Sequence, residues 1–365
     1  STVIFPNTAA LHARAWKDKS GYTYGLHGTP TTFTLEERIA SLEGGVQSLL
    51  VPSGLAAIAL VDTALLRSGD EVLIPDNAYG PSKELARHEL AAWGVTHRFY
   101  DPMDPAALAA MIGPATRLVW LEAAGSVTME FPDLPALVRV ARERGVPCAL
   151  DNTWGAGIAF DPFNLLPGQG GAPLGVDISV QALTKYPSGG GDVLMGSVTT
   201  RDEALHLRLK LSHMRMGWGV GANDVELVLR ALPTLALRYR AQDAAGRALA
   251  TWWQGRSEVT QVLHPALPGS PGHAHWQALS GQAAGLFSVV FDARYSAAQV
   301  DAFVDRLRLF RIGFSWAGPV SLVVPYDISS MRSRAAWQGT LVRFSLGFEA
   351  VADLIADCEQ ALAGL

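Results

Sequence analysis

The chain is predicted to be an α/β protein: a large unit on a mostly parallel sheet, then a smaller C-terminal α+β unit, with an arm at the N-terminus. Three observations predict this. Between residues 46 and 183, continuous apolar runs alternate with helical patterns, the signature of βα units feeding a parallel sheet covered on both faces. A helical stretch from about Asn223 to Gln254 follows, long enough to act as a spine between two units. The runs beyond it alternate differently. A length of 365 residues agrees with two units, at roughly 150 residues per domain. The expected limits are 1–44 for the arm, 45–245 for the large unit and 246–365 for the small one.

The first forty-odd residues hold turn formers and aromatics (SGYTYGLHGTPTTF) without sustained periodicity, as an arm packed on something else would. TLEERIASLEGG reads as a short helix, with Thr34 and Glu37 spaced as a capping box and Gly44 as its stop. VQSLLVP then leads into the helical GLAAIALVDTALL, and EVLIP into PSKELARHELAAW. VTHRFY, TRLVWLEA with LPALVRVARERG, VPCALD and VDISVQAL continue the alternation. After the spine, SEVTQVLHPAL, GLFSVVF, AAQVDAFVDRLRL, GTLVRFSL and VADLIADCEQAL form the α+β unit, and PGSPGHAH is a turn-rich loop.

Composition narrows the function. Apolar residues make up 49% and charged residues 17%, so a large core is expected. The net charge is −5 and no block of lysine and arginine stands out, which argues against nucleic acid as a partner. No apolar stretch is long enough for a membrane span, and STVIFPNTAALHARAWKD lacks a signal-peptide core, so a cytoplasmic protein is expected. The two cysteines, Cys148 and Cys358, form no C-x-x-C pair and are expected to be reduced.

Ligands of open α/β sheets sit beyond the carboxyl ends of the strands. Three features fall there. Ser53-Gly54-Leu55 open a helix directly after VQSLLVP, Asp151 ends VPCALD, and Lys185 follows VDISVQAL in the segment QALTKYPSGGGD. Taken singly, each has an ordinary reading: Ser53 as an N-cap, Asp151 as a cap on the turn at Asn152-Thr153, Lys185 as a surface charge. Together they supply an anion seat at a helix N-terminus, a carboxylate and an amine, which is what pyridoxal 5'-phosphate requires. Thr184 adds a hydroxyl beside the lysine. Neither G-x-x-x-x-G-K-[ST] nor a G-x-G-x-x-G after the first strand occurs, so nucleotide binding loses its main support. His273 and His275 form an H-x-H pair without an evident third ligand, and no metal is expected.

The motifs YGLHGTPT, SLEGG, PSGLAA, NAYGPS, DNTW, ALTKY, HPALPGSPGH and GTLVRFSLGFE make the chain resemble the Cys/Met-metabolism family of pyridoxal-phosphate enzymes over nearly its whole length, with Asp151 and Lys185 34 residues apart. The resemblance implies the aspartate-aminotransferase-like fold, fold type I. EAAGSVTME with Ser126, and FSWAG with Trp316, are similar to the bacterial cystathionine β-lyase branch.

By that resemblance, Lys185 holds the cofactor as a Schiff base and moves the Cα proton, Asp151 pairs with the pyridinium nitrogen, and Tyr79 stacks on the ring and helps in proton transfer. Gly54, Leu55 and Thr184 hold the phosphate, joined by Tyr24 of a neighbouring subunit. Arg343, with Ser315 and Trp316, clamps the carboxylate of a small amino-acid substrate; a guanidinium fork suits that anion. Outside these motifs, Tyr79 could be a core aromatic, Arg343 a surface cation and Trp316 plain packing. The implied activity is β-elimination of L-cystathionine to homocysteine, pyruvate and ammonia. The alternatives are a cysteine or cystine C–S lyase, an alanine racemase, or a cofactor-binding protein without turnover. A homotetramer, built as a pair of dimers with shared sites, is implied as well.

The chain departs from the family pattern at several positions. Leu26 stands where a phosphate-binding arginine is usual, with His27 beside it as a partial substitute. Gly190 and Gly191 replace a His and a Ser, Ala182 replaces a Ser, and Val320 replaces a Glu.

Overall fold

Apolar runs separated by helices form a mostly parallel sheet in the computed structural model of the chain, which describes residues 2–17, 19–168, 172–332, 337 and 339–365. Among these residues the sheet has seven strands: β1 (Gln47–Val51), β2 (Glu71–Pro75), β3 (Thr96–Tyr100), β4 (Thr116–Glu122), β5 (Cys148–Asp151), β6 (Ile178–Ala182) and β7 (Gly196–Thr200). Their order is β1-β7-β6-β5-β4-β2-β3. The run from β3 to β6 is parallel, and β7 lies antiparallel to both β6 and β1.

Strand β7 is absent from the pattern of apolar runs, because GSVTT has one large apolar residue, Val198. All five residues are buried nevertheless. The hydroxyl of Thr199 donates to the buried carboxylate of Glu43, and that of Thr200 to the Asp177 carbonyl, so burial leaves both hydrogen-bonded. Glu43 also accepts from Ser179 and Asn152, tying the SLEGG helix to β6, β7 and the turn after β5.

A second sheet carries β8 (Val259–Leu263), β9 (Leu286–Phe291), β10 (Arg311–Ile312), β11 (Leu322–Tyr326) and β12 (Leu341–Ser345), in the order β10-β11-β12-β9-β8. Apart from the β10–β11 pair it is antiparallel. Trp253, Phe287, Phe291, Phe303 and Phe344 pack between this sheet and its helices. A larger buried cluster draws on both sheets and on the helix Leu235–Gln254, through Leu121, Leu150, Tyr239, Leu286 and Leu341. That shared core holds the two sheets against each other.

Three local expectations are corrected. The helix before β1 runs Pro30–Glu43, and its capping box is the reciprocal Thr29/Thr32 pair; Thr34 lies inside it and donates back to the Pro30 carbonyl. Pro30 decides this, since its fixed φ and missing N–H suit a first turn. Gly44 ends the helix as expected, at φ 73°. The spine is broken into helices Ala222–Ala231 and Leu235–Gln254 by a tighter turn at Leu232–Thr234, where Pro233 removes a donor and crowds the preceding carbonyl. The turn-rich PGSPGHAH folds at its end into the helix His273–Leu279. There His273 Nδ1 lies 2.8 Å from the Pro265 carbonyl, and His275 Nδ1 3.8 Å from an Asp133 carboxylate oxygen.

Both cysteines are buried free thiols. Among the described residues, no helix is long and apolar enough to cross a membrane.

Candidate active site

Glu122, Asp151 and Ala182 are the last residues of three adjacent parallel strands, and all three line a cavity of about 480 Å³. The cavity therefore sits where the parallel strands end, as in other open α/β sheets. The second sheet closes it with Tyr326 of β11, Arg343 of β12 and the preceding loop residues Phe314, Ser315 and Trp316. Of the residues named from the sequence, Gly54, Leu55, Tyr79, Asp151, Thr184, Lys185, Ser315, Trp316 and Arg343 all line this cavity.

Lys185 leaves the end of β6 on a turn, its N–H bonded to the Ala182 carbonyl at 3.0 Å. Its Nζ donates to Ser315 Oγ at 2.9 Å and stands 5.8 Å from the centre of the Trp316 ring. Burial, and then the cation of Arg343, bring its pKa down to about 8 against the opposing charge of Asp151. Ser315 has φ 120°, a strained value for a residue with a Cβ.

Asp151 Oδ1 accepts from the Thr153 N–H at 3.0 Å and from the Thr153 hydroxyl at 2.6 Å. It does cap the turn, and its carboxylate still faces the cavity. Burial raises its pKa, while the Thr153 donors and Lys185 pull the other way.

Ser53 caps the helix Gly54–Leu65 by accepting from the Ala56 N–H at 3.0 Å. The N–H groups of Gly54 and Leu55, in the first turn, have no intrahelical acceptor. Gly54 has to be glycine because a Cβ there would lie 2.6 Å from the Ala182 Cβ. The small residue at 182 thus lets the helix end press against β6. The Thr184 hydroxyl donates to the Met195 carbonyl at 3.3 Å and accepts its N–H at 3.1 Å, at the cavity wall.

Tyr79 precedes the helix Gly80–Leu85; its side chain lines the cavity, and its N–H donates to Glu122 at 2.8 Å. Arg343 is buried in β12, with one Nη donating to the Ser315 carbonyl at 3.4 Å and its guanidinium over the Tyr326 ring at 5.4 Å. A buried guanidinium so lightly bonded is a receptor for an anion entering the cavity.

Tyr24 does not line this cavity; it is exposed, with its ring edge toward His27. His27 is engaged within its own arm, with Nδ1 2.8 Å from Thr23 Oγ1 and its ring 5.5 Å from that of Trp16. Leu26 packs near Gly219. Val320 is exposed.

Two titratable cavity residues were missed by the sequence reading. Glu122 is a carboxylate at a strand end, the criterion that singled out Asp151, and it was passed over as the start of EAAGS. Tyr326 lies in LVVPY, which carried no periodic signal.

Comparison with known proteins decides the family. Residues 1–363 match the family described as "Cys/Met metabolism PLP-dependent enzyme". The chain belongs to that family. It is 39% identical to a cystathionine beta-lyase of Bordetella avium, over 99% of this chain and 90% of that one. It is 34% identical to an L-alanine/L-glutamate racemase of Wolbachia pipientis, over 94% and 83%. The crystal structure of metB from Corynebacterium glutamicum superposes with a TM-score of 0.86 at 28% identity, covering 94% of this chain and 88% of that one.

The protein is a PLP-dependent enzyme, and pyridoxal 5'-phosphate is its cofactor. The residues present fit that group. A helix end pressed to β6 by the absence of a Cβ offers free N–H groups, a carboxylate stands at the end of the adjacent strand β5, and a partly neutral amine lies between the two sheets.

Proposed function

We propose that this enzyme is a carbon–sulfur β-lyase that converts L-cystathionine and water to homocysteine, pyruvate and ammonia. The observation that carries this is the convergence in one cavity of the Lys185 amine, the Asp151 carboxylate and the buried Arg343 guanidinium. The relative from Bordetella avium, named for the same activity, supports it.

Lys185 would hold the cofactor through Nζ, Asp151 would meet the ring nitrogen, and Gly54, Leu55 and Thr184 would receive the phosphate. When bound, pyridoxal 5'-phosphate supplies an electron sink that lets a substrate Cα–H bond break as a proton. Arg343 binds the substrate carboxylate as a two-pronged donor, with Ser315 and Trp316 beside it. That contact turns the Cα–H bond toward Lys185 Nζ, which takes the proton once it is free. Tyr79 holds one face of the site and assists in moving the proton. Leu55 and Met129 give the cavity apolar wall beside these groups.

The same reading places Tyr24 in the site of a neighbouring subunit, within a homotetramer of two such dimers, in the cytoplasm. It also divides the chain into the arm 1–44, the cofactor-binding unit 45–245 and the small unit 246–365.

Coupled measurement of pyruvate from L-cystathionine tests the activity. Wild type produces pyruvate and Lys185→Ala does not; absence of pyruvate from cystathionine, cystine and related β-thio amino acids would reject it. The racemase from Wolbachia pipientis favours a second reading, in which the Cα proton is replaced on the opposite face. Conversion of L-alanine to D-alanine, faster than any β-elimination, would favour that reading.

A further inference from the structure

Glu122 and Asp151 are register partners on adjacent parallel strands, so their side chains leave the same face of the sheet. Both reach the cavity. Glu122 is buried, and its Oε2 accepts the Tyr79 N–H at 2.8 Å. This is a tie between the end of β4 and the residue whose side chain lines the cofactor cavity.

We infer that Glu122 is a positioning residue: it anchors the Tyr79 main chain and so sets the Tyr79 ring against the bound cofactor. This rests on the site assignment proposed above. The anchor works in the neutral form. Two carboxylates side by side on a buried wall do not both ionise readily. Asp151 has two Thr153 donors and the Lys185 amine to favour its anion. Facing Glu122 are the Asp151 charge, the Ser126 hydroxyl, Lys83 of the helix Gly80–Leu85, the Tyr79 phenol and the Tyr100 phenol of β3. Burial first, and Asp151 second, push the Glu122 carboxyl up to about 8. The protonated form is thus favoured at Glu122, and the Thr153 donors and Lys185 favour at Asp151 the negative charge that a ring nitrogen needs.

The test compares cofactor-loaded wild type, Glu122→Leu and Glu122→Gln. The readouts are the induced circular dichroism of the cofactor band, the kcat and KM of pyruvate release, and the infrared carbonyl stretch of a protonated acid. Glu122→Leu removes the acceptor and should lower kcat by about 100-fold, with KM changed by less than about threefold, and alter the dichroism. Glu122→Gln keeps a neutral acceptor and should recover most of kcat and the wild-type dichroism. The protonated-acid band should vanish in both variants. Wild-type dichroism and kcat in Glu122→Leu would overturn the inference. So would a Glu122→Gln enzyme as impaired as Glu122→Leu, or an infrared band untouched by either change. If Glu122→Leu does not fold, the dichroism and infrared spectrum of Glu122→Gln decide alone. Wild type without a cofactor band would instead sink the site assignment itself.

Discussion

The Lys185 amine illustrates how position rather than residue type makes chemistry. Burial and the Arg343 cation both disfavour its ammonium form, and Asp151 only partly compensates, which leaves it titrating at about 8. Below that pH the amine is charged and unreactive; above it the free base dominates. In cofactor-free protein, acylation of Lys185 followed by mass spectrometry should therefore rise through pH about 8, roughly two units below surface lysines. A midpoint shared with the surface lysines would contradict the burial argument. Ser315 holds the other end of the same contact, and its strained φ of 120° has no counterpart in the motif FSWAG read as letters.

At the scale of elements, the cofactor seat depends on how closely the helix Gly54–Leu65 approaches β6. Gly54→Ala would place a Cβ 2.6 Å from that of Ala182 and force the helix end outward. Overpacking of this kind costs about 1–3 kcal/mol, which if borne by the cofactor seat is a roughly fivefold to 150-fold weaker hold on pyridoxal 5'-phosphate. Equilibrium dialysis of the variant against wild type measures it, and equal affinities would show that the close approach is unimportant. Elements were legible in the sequence wherever hydrophobic periodicity set them: β1 to β6 coincide with apolar runs. They were illegible where polar contacts set them, as in β7, whose Thr199 is buried by pairing with Glu43. The break at Pro233 was readable from proline chemistry but hidden by the helical pattern on either side.

At the scale of the whole molecule, the cavity exists only because two sheets share a core. Asp151 and Lys185 come from one sheet and Arg343 from the other, and none of the three alone defines a site. Tyr24 lies outside that cavity, which makes the proposed shared site testable by mixing. Lys185→Ala and Tyr24→Phe chains, each impaired alone, should on unfolding and refolding together regain roughly a quarter of wild-type activity, since half of randomly paired dimers carry one intact site. Activity that stays at the average of the two separate proteins would place Tyr24 outside the partner's site.

The sequence by itself determined the α/β class, the family, and the candidates at strand ends, Asp151 and Lys185 first among them, because period and motif are properties of neighbouring residues. Only the tertiary structure decided that Glu122 stands beside Asp151, that Tyr326 lies against Arg343, and that His27 turns into its own arm. Glu122 and Asp151 are separated by a whole helix in the chain and meet through the hydrogen-bond register of β4 and β5. Tyr326 meets Arg343 through the packing of β11 on β12. Such contacts are set by the sheets that bring distant segments together, and no local spacing encodes them.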